Sequence, residues 1–212
     1  MDMISTVYNR ASFAVLLIAV FLSFSACVDI DTFLSINKNG ETTAVLTYVS
    51  NPGFSDFGRG FGADEPWPFP VTETDFQSRS VLFPSTEVTG YKIKRKKDGN
   101  EIITVKLKSD SAESLSEYLG MKISLKNPDK KGSGSFLLEL PAPYSTLMDT
   151  DNDDLNKLSD MAGDSFISFS IKVPYGIREV SNGSYKGKTA SVSFYLSEYL
   201  ENKKSFNWKV NW

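Results

Sequence analysis

The sequence contains no histidine and a single cysteine. Without histidine, the chain lacks the side chain that most often acts as a base near neutral pH, and the commonest zinc ligand. One cysteine cannot close an internal disulfide or build a multi-cysteine zinc or iron–sulfur site. A basic excess is missing too: 23 Lys and Arg stand against 26 Asp and Glu, for a formal charge of −3. That balance does not suit a run of phosphates, so no nucleic-acid partner is expected. No G-x-S-x-G elbow occurs, and a serine triad would need the absent histidine. Gly58-Arg59-Gly60-Phe61-Gly62 lacks the Lys-Ser/Thr that completes a phosphate loop. Ser133-Gly134-Ser135 beside Lys131 reads as a turn, and no carboxylate spacing singles out an acid and a base. The expectation is a protein that is not an enzyme, with no catalytic residues, metal or cofactor.

What is present begins with an address. Ala11 to Ala26 form an apolar run that follows Arg10 and ends in small residues just before Cys27. Charge, apolar stretch and small residues in that order mark a secretory signal peptide, and the run is shorter than the roughly 20 residues a membrane span needs. The one cysteine of the chain sits at its end. Phe24-Ser25-Ala26-Cys27 resembles a bacterial lipobox, and Phe in place of Leu at its first position resembles the relaxed lipoboxes of spirochaetes. The resemblance implies cleavage before Cys27 and lipidation of Cys27. Residues 1–26 are then the signal peptide, and 27–212 a single domain tethered by lipid to the non-cytoplasmic side of a bacterial membrane, periplasmic or surface-exposed. Lipid chains contribute about 0.8 kcal/mol per buried CH₂, enough for several chains on one residue to hold a domain at a membrane.

The rest of the chain alternates. Ile30, Thr32, Leu34 and Ile36 fall on one face of a strand Val28–Asn37, with Asp29, Asp31 and Ser35 opposite. Asn39-Gly40 joins it to Glu41–Ser50, and Asp98-Gly99 joins Gly90–Lys97 to Asn100–Lys108. With Asn182-Gly183, these dipeptides predict type I′ hairpin turns. Further strands are expected over 133–140, 165–173, 189–196 and 205–212. Helices are expected over 72–80, over 151–162, and after a capping box Asp110-Ser111-Ala112-Glu113 whose stripe of Ala112, Leu115, Tyr118 and Leu119 stops at Gly120. A further turn is expected over 197–202. The pattern predicts an α+β fold, with an antiparallel β-sheet built from hairpins and two or three short helices.

Three stretches could carry function. Residues 51–70 form an aromatic, Gly/Pro-rich loop containing Phe54, Phe57, Phe61, Trp67 and Phe69, long for a compact domain and the expected ligand or partner contact. Asp149-x-Asp151-x-Asp153 matches the first ligands of a calcium loop, but Asp154, Asn156 and Asp160 stand where Gly, an apolar residue and Glu belong. It reads better as an acidic helix start. Lys92, Lys94, Arg95, Lys96 and Lys97 form a basic run, with Lys106 and Lys108 expected across the hairpin. Its alternatives are contact with anionic headgroups and a solvated strand face protected from edge pairing.

Cys27-Val28-Asp29-Ile30, Ser35-Ile36-Asn37-Lys38-Asn39-Gly40 and Ala44-Val45-Leu46-Thr47-Tyr48 resemble the opening of LppM-like bacterial lipoprotein domains. Phe169-Ser170-Ile171-Lys172-Val173-Pro174, Ser181-Asn182-Gly183, Val192-Ser193-Phe194 and Trp208-x-Val210-x-Trp212 resemble later parts of the same pattern. The resemblance implies a non-enzymatic envelope domain that binds lipid or another amphiphile, and supplies no catalytic residues. The alternative is a structural or surface lipoprotein that contacts envelope proteins. The expected partners are thus the membrane, through the N-terminal lipid, and a lipid or an envelope protein.

Overall fold

A computed structural model describes residues 28–50, 72–126, 132–140, 165–201 and 205–212. In chain order the elements are β1 (Val28–Ile36), β2 (Thr42–Ser50), α1 (Glu73–Leu82), β3 (Thr86–Arg95), β4 (Glu101–Ser109), α2 (Ala112–Leu119), β5 (Lys122–Lys126), β6 (Ser135–Leu140), β7 (Phe166–Lys172), β8 (Glu179–Val180), β9 (Ser184–Lys186), β10 (Thr189–Tyr195), α3 (Leu196–Glu201) and β11 (Phe206–Asn211). The fold is α+β. The strands form two sheets, ordered β3-β4-β2-β1-β7-β10-β9 and β5-β6-β11-β8. Every described pairing is antiparallel except β1 with β7, which run parallel in the middle of the larger sheet.

Alternation sets the faces. Leu34 and Ile36 of β1, Leu46 and Tyr48 of β2, Ile103, Val105 and Leu107 of β4, and Ile167, Phe169 and Ile171 of β7 are buried on the inner face. Phe136 and Leu138 of β6 and Trp208 and Val210 of β11 belong to the same apolar cluster, as do Phe76 of α1 and Leu115 and Tyr118 of α2. Trp208 stacks edge-on against Phe136, with ring centroids 6.1 Å apart. One core therefore serves both sheets and both longer helices.

The helices begin where polar side chains can take up free amides. Thr72 caps α1 in a reciprocal box with Asp75. In α2 the cap is Ser111, whose hydroxyl accepts from the Ser114 amide, so the expected box at Asp110 lies one residue too early. Each such cap contributes about 1 kcal/mol. Gly120 ends α2 at φ 69°, as its position past the apolar stripe predicts. The expected helix over 151–162 lies outside the described residues.

The turns correct the expected type. No described residue other than glycine has positive φ, so Asn39 and Asp98 do not enter type I′ turns. In the first hairpin the Gly40 amide donates to the Asn37 carbonyl, and the Asn37 amide donates to the Glu41 carbonyl. Lys96, Gly99 and Asn100 repeat this arrangement. Both loops are three residues long, a type I turn closed by a glycine in the left-handed region. Asn182-Gly183 joins strands of different sheets, since β8 pairs with β11 and β9 with β10. The tight hairpin there lies between β9 and β10, with Gly187 at φ 62° in first place of a two-residue loop. Too little alternation marks β5, where only Ile123 and Leu125 alternate, or β8 and β9, which are three residues or shorter, for the sequence pattern to show them.

Candidate functional site

Three chain segments that are far apart in sequence meet at one end of the larger sheet. Val28 lies opposite Ser50, Ser50 opposite Glu101, and Glu101 opposite Arg95. The start of β1, directly after Cys27, is thus level with the end of β3 and the turn that follows it. Three strand spacings of nearly 5 Å separate them, about 14 Å.

That turn is the basic run. Lys92, Ile93, Lys94, Arg95, Lys96 and Lys97 are all exposed, on the outermost strand and on the loop beyond it. The Arg95 Nε donates to Glu101 Oε1 at 2.9 Å, and Glu101 is itself only 3 % exposed. The pair ties β3 to β4 at the root of the turn and leaves the lysines outside it. Lys106 and Lys108 do not oppose the basic run: they lie across from Gly90 and Glu87, nearer the other end. Lys108 reaches Glu41 at 3.2 Å, and its hydrogen bond with that carboxylate lifts the ammonium pKa above its usual range.

On the other side of β1, the same end carries two exposed aromatic rings. Phe166 opens β7 and Tyr195 closes β10; they are direct cross-strand partners. Their ring centroids are 4.4 Å apart, and they remain 39 % and 40 % exposed. Both are out of phase with the buried residues of their strands, so they stand on the outer face. Between them and β1, the Asp29 carboxylate accepts the Phe166 amide at 3.1 Å.

Other polar groups have structural employment. The Tyr118 hydroxyl donates to the Phe76 carbonyl at 2.7 Å, and the Arg79 Nε donates to the Tyr118 carbonyl. The Arg79 guanidinium lies 5.5 Å from the Phe83 ring centroid and 5.8 Å from that of Tyr118. Burial raises the pKa of Tyr48, Tyr118 and Tyr199 above the usual phenol value. The Ser133 hydroxyl accepts from Arg178, while the Gly134 amide and carbonyl exchange hydrogen bonds with Trp212. Among the described residues, no group of three His, Cys, Asp or Glu is placed to hold a metal ion.

Cys27, the five aromatics Phe54, Phe57, Phe61, Trp67 and Phe69, and the acidic stretch 149–160 lie outside the described residues. Of the stretches singled out in the sequence, the structure places the basic run, level with the start of β1 and three strands away. The Phe166–Tyr195 pairing is not legible in the sequence, although each ring breaks the apolar alternation of its strand.

No protein-family model matches the chain, and no curated protein sequence matches it. Among solved structures, the chain is similar to the folded domain of the Mycobacterium tuberculosis protein LppM, determined by NMR, with a TM-score of 0.45 and 9 % identity over 87 % of this chain and 88 % of that one.

Proposed function

We propose that this chain is a bacterial envelope lipoprotein, acylated on Cys27, whose domain binds lipid or another amphiphile at the membrane and performs no reaction. One observation carries the reading: β1 begins at Val28, the residue after Cys27, and lies in the interior of the larger sheet. A lipid on Cys27 would be joined to the sheet without a linker, which holds the domain's end at the bilayer surface. Support for a binding role comes from the exposed rings of Phe166 and Tyr195 at that end, because an aromatic ring with one apolar and one wet side suits the interface of a bilayer. The case against catalysis rests on the absence of histidine and on the structural employment of the polar groups.

The test is metabolic labelling with a radiolabelled fatty acid, followed by membrane fractionation. The wild-type chain takes up label and sediments with membranes; Cys27→Ala does neither. Equal labelling and retention of the variant would overturn the anchor. For amphiphile binding, lipid extracted from the purified wild-type chain should exceed that from Phe166→Ser/Tyr195→Ser. Equal lipid recovery, with an envelope protein co-purifying instead, would favour the protein-contact alternative.

A further inference from the structure

We infer that the β3–β4 turn, Lys94 to Lys97, is a second membrane attachment point that docks on anionic lipid headgroups and fixes the orientation of the domain. The inference deepens the anchored-lipoprotein reading and rests on it.

Position is the first argument. The ladder sets Arg95 level with Val28, so Lys96 and Lys97, beyond Arg95, project past the end of the sheet where the chain leaves for Cys27. A bilayer holding Cys27 would meet these ammonium groups without any movement of the domain.

Charge is the second. Between Lys92 and Glu101 there are five cations and two carboxylates, in a protein that is acidic overall. One of the two carboxylates, Glu101, is buried and engaged by Arg95. Asp29 and Asp31, the carboxylates of β1 near this end, are three strands away, about 14 Å. The Debye length at physiological salt is about 8 Å, so they do little to cancel the lysines.

Protection of a sheet edge explains part of the run but not all of it. Lys92 and Lys94 stand on the outermost strand, where a lysine discourages pairing with another chain. Lys96, which closes the turn against Asn100, and Lys97 in the loop lie past the last ladder pair Arg95–Glu101, where there is no edge to guard. Turn geometry does not call for both either. The β1–β2 loop adopts the same hydrogen-bond pattern with Lys38 at the place of Lys97 but Asn37 at the place of Lys96, so consecutive cations are not a need of the turn. The Phe166–Tyr195 pair lies at the same level on the other side of β1, so the end offers a basic corner and an aromatic corner with the anchor between them.

The experiment uses the acylated full chain reconstituted in vesicles of phosphatidylcholine, alone or mixed with phosphatidylglycerol. Lysines are modified with a membrane-impermeant amine reagent, and each site is read by mass spectrometry. A lysine near an anionic surface is held by roughly a fivefold factor in occupancy. Lys94, Lys96 and Lys97 should therefore react roughly fivefold more slowly in the phosphatidylglycerol vesicles than in detergent. Exposed Lys186 and Lys188, at the opposite end, should keep their detergent rates and so report an intact fold. In Lys94→Gln/Lys96→Gln/Lys97→Gln, Lys92 should return to its detergent rate. Equal reactivity of both ends in anionic vesicles would overturn the inference, as would equal protection in pure phosphatidylcholine. Protection by inorganic phosphate added in detergent would overturn it too, because the turn would then be a site for free anions. The two readings fail separately: an acylated chain with uniform lysine reactivity removes the docking turn alone, whereas loss of acylation removes the anchor.

Discussion

The two hairpins of the larger sheet, β1–β2 and β3–β4, share one turn and differ in what they carry. Gly40 and Gly99 close the loops with φ of 87° and 88°, and each loop makes the same pair of backbone bonds. The first loop points away from the end where β1 begins and is nearly balanced in charge, with Lys38 three residues before Glu41. The second lies at the end where β1 begins and holds consecutive cations. Because the backbone is the same, folding does not account for the difference. Shared geometry separates what a turn needs, a glycine in the left-handed region, from what a surface was given in addition.

The largest expected effect removes a ring that packs on both hairpins, which the β2–β4 ladder joins. Phe76 is fully buried, with its ring 6.5 Å from that of Tyr48 in β2 and 6.2 Å from that of Tyr91 in β3. Phe76→Ala should cost about 3–5 kcal/mol in denaturant melts. A loss below about 1 kcal/mol would mean that the two hairpins do not depend on this contact.

Next come the matched turns. Gly40→Ala and Gly99→Ala should each cost about 1–2 kcal/mol, because a Cβ is strained at positive φ. The two losses should agree within a few tenths of a kcal/mol. Unequal losses would break the equivalence on which the comparison rests.

Alkali should probe the ground beneath the second hairpin. Tyr48, opposite Ile103 of β4, is buried, and desolvation holds its pKa well above the usual value near 10. A folded pKa above the unfolded one contributes stability that is fully present below pH 10. It is lost as pH rises past 10 and the unfolded phenol ionises. Tyr118 and Tyr199 contribute in the same direction. Tyr48→Phe should flatten the fall in melting temperature above pH 10. An unchanged slope would assign the fall to other groups.

The smallest effect is the most pointed. Lys94→Gln/Lys96→Gln/Lys97→Gln should leave the melting temperature unchanged or slightly raised, since exposed like charges repel each other. A clear drop would make the lysines part of the fold.

Much of this was written in local pattern. The period-2 runs through Ile30–Ile36, Ile103–Leu107 and Phe206–Val210 name their own buried faces, because adjacent side chains of a strand must point to opposite sides. Thr72 and Gly120 likewise mark helix ends through chemistry that acts within one turn. The division into two sheets and the parallel pairing of β1 with β7 were not legible. Those facts depend on contacts between residues such as Leu34 and Ile171, separated by much of the chain. The basic run could be read as a list of charges. Its place level with Val28 could not, since it follows from three successive ladder registers. The five aromatics of 51–70 drew attention by density alone, whereas the placed aromatic pair sits in strands that looked ordinary.

The placement of β1 also determines how the molecule answers to force. Hydrogen-bond ladders flank β1 on both sides, to β2 and to β7. A pull on Val28 directed along the strand axis loads both ladders in shear, so many bonds must yield together. An edge strand would be peeled open one bond at a time. Load applied at the start of β1 is thus resisted by two ladders at once.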